Sequence, residues 1–251
     1  MALRTTIGTI RLIAALTGVV ALVSRFIYGL GFRTFVSVDF FGYLTVQSNM
    51  AAVVVTALAG VTALRGRPES LLLSSARATI ACFLLVAGIV FALLVSQGPS
   101  MGYRIDVPWS DAVLHFVLPA FVLVDWLVSP GRRMVSWRII LIALAYPTVW
   151  GIGTIIRGEF VGWYPYFFLD PAQAGYPGTL VIYSAASLAL FAIIAAGLVA
   201  ASHVAPLGEK EPPGTGYRRS TLRARRLRGR ARRRAKRAAV TALRRTGEDS
   251  R

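Results

Sequence analysis

Long apolar runs separated by short polar breaks dominate this chain. Six runs stand out, at about 7–30, 41–64, 78–97, 109–128, 138–157 and 178–202. Each is near the roughly 20 residues that an α-helix needs to cross a bilayer. There is no heptad and no short-period repeat. The pattern predicts an all-α, polytopic membrane protein with six transmembrane helices and short loops. That domain takes in residues 1–207. The first run has Arg4 and Arg11 ahead of it, as a signal peptide would. It is long, however, contains Arg25 and lacks a small-x-small cleavage site, so a retained helix is expected.

Composition agrees. The chain is 55% hydrophobic with a mean hydropathy of +0.61, too apolar for one soluble domain. A single cysteine, Cys82, lies inside an apolar run, which excludes a disulfide framework and a cysteine metal site. No metal or cofactor is expected. Gly-Leu-Gly-Phe and Gly-Ile-Gly-Thr lack the further glycine and the strand of a phosphate loop. Helix glycines are expected to serve close packing.

Charge adds direction. Arginine outnumbers lysine 26 to 2, the mark of a GC-rich, bacterial genome. Residues 208–251 hold 16 basic and 4 acidic residues, so +12 of the net +17 belongs to the tail. In the rest, Arg4, Arg11, Arg65, Arg67, Arg77, Arg132, Arg133 and Arg138 fall on one set of breaks or span ends. Only Arg33, Arg104 and Arg157 fall on the other, beside Asp39, Asp106, Asp111, Glu159 and Asp170. The alternation predicts a multi-pass protein of the plasma (bacterial inner) membrane with both termini cytoplasmic. Arg11, Arg77 and Arg138 are expected to snorkel from span ends. Asp125, at the inner end of its span, is expected to be solvated or paired with an inner arginine. The tail carries Ala235, Ala239 and Leu243 at helical spacing, yet its like charges favour disorder. It is expected to bind anionic lipid headgroups, each arginine adding about 1 kcal/mol. Nucleic acid is the less favoured partner of the same charge.

The candidate chemistry lies in the outer half of the spans. Counting about 1.5 Å per residue, Thr45 lies about 6 Å in, His115 about 9 Å in and Arg25 about 8 Å from the outer edge. Asn49 shares a helix face with Thr45, and Asp111 shares one with His115, each at a spacing of four. A shared polar pocket accounts for five groups at one depth. Each has a plainer reading. A threonine in a membrane helix usually bonds its own i−4 carbonyl. Arg25 either snorkels or pairs with a carboxylate or a substrate acid. Asp111 either complements a helix dipole or orients His115. Ser48 and Asn49 either join helices or supply an oxyanion donor. The aromatic-rich break Gly158–Pro177 is either an interfacial belt or a lid over an outward pocket.

Three stretches carry a resemblance. They are Tyr43-Leu44-Thr45-Val46-Gln47-Ser48-Asn49, His115-Phe116-Val117-Leu118-Pro119 and Trp163-Tyr164-Pro165-Tyr166-Phe167-Phe168-Leu169. In order and spacing over about 7–202, the chain resembles the androgen-induced transmembrane protein family. Its animal members are six-span threonine hydrolases of fatty acid esters of hydroxy fatty acids, using a threonine and a histidine. The resemblance implies a membrane lipid-ester hydrolase with Thr45 as nucleophile and His115 as base. Ser48, Asn49, Asp111 and Arg25 would support that pair. The substrate would be a lipid ester drawn from the bilayer. Two other classes compete: a small-solute transporter, and a non-catalytic membrane scaffold or regulator.

Overall fold

The computed structural model describes residues 2–97, 106–173, 175 and 177–206. Arg104, Tyr176 and the tail 208–251 lie outside the described residues. Among the described residues all regular structure is helical. The elements are α1 (Ala2–Leu30), α2 (Ser37–Phe40), α3 (Leu44–Leu64), α4 (Leu71–Gln97), α5 (Trp109–Ala112), α6 (Leu118–Val128), α7 (Ile139–Val161) and α8 (Gly178–Ser202). A π-turn, Val113–Val117, joins α5 to α6 into one continuous span. Among the described residues six helices are long and apolar enough to cross a membrane. The chain is therefore an all-α, multi-pass integral membrane protein.

The spans alternate in direction. One end of the bundle gathers the start of α1, the α3–α4 and α6–α7 breaks and the end of α8. Arg4 donates to the Gly66 carbonyl there at 3.0 Å, and Arg132 reaches the carbonyls of Ala201 and Val204. This is the arginine end. The opposite end carries α2, the start of α5 and the aromatic loop before α8.

The helix α4 is the centre. Ala78, Ala81, Cys82, Leu84 and Val86 on several of its faces are all buried. An apolar helix buried nearly all round packs inside a bundle. Its neighbours bury one face only and leave Leu16, Val149 and Ile193 exposed on the others, as lipid contact requires. Where α1 crosses α3, a methyl group on Gly8 would meet the Gly60 carbonyl at 2.9 Å. The expected packing role of helix glycine is met at that crossing.

Several boundaries differ from those the apolar runs predict, two of them for a polar reason, and α1 begins at Ala2 rather than near 7. The helix α4 begins at Leu71, not near 78, because Ser70 caps it by accepting the Leu73 N–H at 3.1 Å. A separate short helix, α2, precedes α3, which starts at Leu44 rather than 41. The helix α7 runs past Arg157 to Val161, since Arg157 is held by Asp39 at 2.5 Å.

The snorkelling expected of Arg11 and Arg77 is corrected. They are only 3% and 7% exposed and sit in a buried ion cluster at the arginine end. Arg11 reaches Asp125 at 3.0 Å and Glu69 at 3.3 Å, and Arg77 reaches each acid at 2.6 Å. Ser129 accepts from both guanidiniums, at 2.6 and 2.9 Å. Two cations and two anions cancel. That is the condition under which charges persist away from water. Trp126 stands between the Arg77 and Arg132 guanidiniums, 5.6 and 5.5 Å from its ring centre. Arg138 stays exposed, as snorkelling requires.

Candidate functional site

The site begins with a missing hydrogen. In a regular helix the N–H of residue 119 would serve the His115 carbonyl, but Pro119 has none. The chain widens instead into the π-turn, where the Leu118 N–H bonds the Val113 carbonyl five residues back. Such single π-turns recur at functional sites. The unserved His115 carbonyl points at Gly88 of α4, where a methyl group would collide with it. Gly88 therefore permits the close approach of α4 to the turn.

The turn presents His115 to a cavity of about 980 Å³ at the end opposite the ion cluster. All six residues singled out from the sequence line it: Arg25, Thr45, Ser48, Asn49, Asp111 and His115. They come from α1, α3 and the α5–α6 span. Helix rotation, which sequence periodicity leaves open, turns each of them inward.

His115 is buried, 8% exposed, and its ring stacks on Phe91 with centroids 3.9 Å apart. Its Nδ1 lies 3.1 Å from the Asp111 carbonyl oxygen. That partner accepts only, so Nδ1 carries a proton, and in the neutral ring the lone pair sits on Nε2. The Asp111 carboxylate serves Arg25 instead, accepting from Nε at 2.9 Å, and lies 3.8 Å from Nδ1. Of the two readings for each, Arg25 pairs with a carboxylate, and Asp111 holds His115 chiefly through its backbone.

Thr45 is half-buried in the second position of α3. Its side chain and backbone both lie in reach of the Tyr166 phenol. Thr45 and His115 are not hydrogen-bonded to each other. The Ser48 hydroxyl donates to the Leu44 carbonyl at 2.7 Å, and Asn49 Nδ2 donates to the Thr45 carbonyl at 2.9 Å. The Ser48 hydrogen is spent within α3 in this conformation, whereas the Asn49 amide keeps a second N–H.

Tyr166 is the site residue that the sequence pattern did not single out. It belongs to the aromatic loop, of which Trp163, Pro165, Tyr166, Phe168 and Leu169 line the cavity. Tyr43 packs edge-on to both Trp163 and Tyr166, with centroids 5.4 and 6.2 Å away. Trp150 donates to the Gly42 carbonyl at 3.0 Å and packs on Tyr166. The loop thus covers the cavity, the lid arrangement of the two that its aromatics allowed. Burial pushes the Tyr166 phenol above its ordinary value, and nearby Thr45 pulls it back only in part. Burial likewise raises Tyr43, against the pull of nearby Arg25 and with a further push from Asp39. Both phenols stay protonated at neutral pH. The signal for Tyr166 was its place in the Tyr-Pro-Tyr run, but only folding brings residue 166 to residue 45.

No protein-family model, curated protein or solved structure matches the chain. Fold and site together define a class: a six-helix integral membrane protein with a lidded cavity, lined by a histidine, a threonine and an ion pair, at one end of the bundle.

Proposed function

We propose that the protein is an intramembrane hydrolase of lipid esters, of the kind that the resemblance to the androgen-induced transmembrane family implies. The observation that carries the reading is one shared cavity. Thr45, His115 and the Arg25–Asp111 pair all line it, and a neutral His115 bonded through Nδ1 has its lone pair on Nε2. A threonine hydroxyl needs a base to become a nucleophile, and a neutral imidazole is that base.

In the reaction, the Thr45 hydroxyl gives its proton to Nε2 of His115 and attacks the ester carbonyl. Hydrogen bonds of this kind commonly tighten only with substrate bound. The Tyr166 phenol, protonated and adjacent, donates to the developing oxyanion. The tetrahedral intermediate collapses, His115 protonates the departing alcohol, and an acyl group remains on Thr45. Water, deprotonated by His115, releases the acid and restores the hydroxyl. The Arg25–Asp111 pair fixes the level of His115, and the outer guanidinium nitrogens of Arg25 attract a substrate carboxylate.

The membrane assignment goes with this reading. Arginines cluster at the end opposite the cavity, so that end and both termini are placed in the cytoplasm of a bacterial inner membrane. The cavity then opens in the outer leaflet, and the arginine tail lies against anionic headgroups. The buried ion cluster fills the other end, and none of its residues lines the cavity. That supports a pocket over a passage for solutes. The test is ester hydrolysis by purified protein, with Thr45→Ala and His115→Ala beside wild type. The expected loss in each is about a hundredfold or more. Unchanged turnover in both variants removes the mechanism.

A further inference from the structure

One wall of the cavity, the helix α7, has a gap in it. Gly151 lies inside α7, is half-buried and lines the cavity. A methyl group placed on it would meet nothing within 4 Å among the described residues. A glycine inside a helix costs stability relative to alanine, so its place needs a reason. Buried helix glycines such as Gly8, Gly60 and Gly158 have one within the protein, because a methyl there would strike a neighbouring residue. Gly153 and Gly197 also meet nothing, but they are exposed and do not line the cavity. What Gly151 faces is space inside the site.

That space leads sideways. Thr148 and Ile152 of α7 line the cavity and are nonetheless exposed on the outside of the bundle. On α8 the lining residues Ser184 and Ser187 are small and half-buried. At about 1.5 Å per residue from the cavity ends of their helices, Gly151 lies about 15 Å down and Ser187 about 14 Å. A hydrocarbon layer about 30 Å thick surrounds both levels. The lining there is apolar, with Phe83, Leu188 and Phe191, and the Thr148 hydroxyl is turned back to the Leu144 carbonyl at 2.7 Å. What lies outside at that level is the acyl chain of a lipid. Such a chain is as well placed against apolar side chains as among other chains, so it can stay at the level of the hydrocarbon while its head reaches Thr45.

We propose that the gap between α7 and α8 is an acyl-chain subsite open to the bilayer, and that Gly151 keeps it open. A chain whose ester carbonyl meets Thr45 runs past Gly151 and leaves the bundle beside Ile152. The cavity then sets no limit on chain length, whereas a bulky side chain at 151 closes the passage and confines the site to short acyl groups. The subsite rests on the hydrolase reading for its ester, but holding a chain needs no turnover.

The experiment photolabels the purified full chain in lipid nanodiscs with a palmitic acid analogue that carries a diazirine near its methyl end. Labelled residues are mapped by peptide mass spectrometry, with and without excess palmitic acid. Hydrolysis of para-nitrophenyl palmitate and butyrate is run in parallel. In wild type, label is expected on Ser184, Ser187 or Leu188 and is lost in excess palmitic acid. Label on the exposed residues Ile182 and Ile193 comes from bulk lipid and should not respond. Gly151→Phe is expected to remove the displaceable label and to lower the ratio of palmitate to butyrate hydrolysis at least about tenfold. Ser187→Phe fills the passage from α8 and is expected to do the same, so it decides if Gly151→Phe does not fold. Absence of displaceable label from 184–188 in wild type overturns the proposal, and so does displaceable label that survives in the folded variant. Displaceable label in a protein that turns over neither ester leaves the subsite standing and removes the hydrolase reading.

Discussion

Pro119 acts on His115 by what it lacks. Without an N–H at 119 the His115 carbonyl has no helical partner, the π-turn forms, and the imidazole faces the cavity. Gly88 gives that carbonyl room. The two residues predict opposite stability effects with one functional effect. Pro119→Ala restores the N–H and lets the turn relax to α-helix. Ester hydrolysis should fall at least about tenfold, a barrier rise of about 1.4 kcal/mol, with no loss of thermal stability. Gly88→Ala drives a methyl into the carbonyl and should lower both, the stability by about 1–3 kcal/mol. Thermal unfolding in detergent beside a hydrolysis assay checks both, and full activity in the two variants would sink the role given to the turn. The histidine itself was legible as an imidazole in an apolar run. Its tautomer and direction were not, because they depend on a carbonyl one turn back and on a glycine in another helix.

At the scale of elements, the aromatic loop before α8 is the part whose meaning folding decided. Interfacial belts and cavity lids draw on the same residues, since both need a ring with an apolar body and a polar edge. The structure seats Trp163 against Tyr43, with the Arg157 guanidinium 5.1 Å from its ring centre, and Arg157 in turn holds Asp39. The ion pair is part-exposed, and such pairs contribute less than about 1 kcal/mol. The ring pair adds about 0.5–1.5 kcal/mol beyond the apolar area it buries, so the ring contacts outweigh the ion pair. Trp163→Ala is therefore expected to accelerate amide hydrogen exchange over residues 162–173 more than Arg157→Ala does. The reverse order would make the ion pair, not the ring, the latch. Two of the span ends that shifted, at Leu71 and Val161, moved for related reasons. A serine cap and a carboxylate partner from elsewhere let polar residues stay inside a helix whose apolar run had ended.

At the scale of the whole molecule, the protein has a lidded cavity at one end and a neutral ion cluster at the other. Removing one charge from the cluster leaves a buried imbalance. Asp125→Asn is expected to destabilise the fold by about 3–5 kcal/mol while leaving hydrolysis per folded molecule unchanged. Thermal unfolding with activity normalised to folded protein measures both, and a loss of specific activity at unchanged stability would tie the cluster to the site. By itself the sequence determined the helical class and the number of spans. These follow from bilayer thickness and helix rise, which act on every residue of a run alike. It also marked six of the residues that line the cavity, because polar groups are costly in lipid wherever they occur. Only the tertiary structure decided which charges are buried together, that Thr45 meets Tyr166, and that Gly151 faces open space. Those outcomes depend on the rotation of each helix about its axis and on contacts between residues far apart in the chain, such as Arg11 with Asp125 and Thr45 with Tyr166. No local pattern encodes a partner more than a hundred residues away.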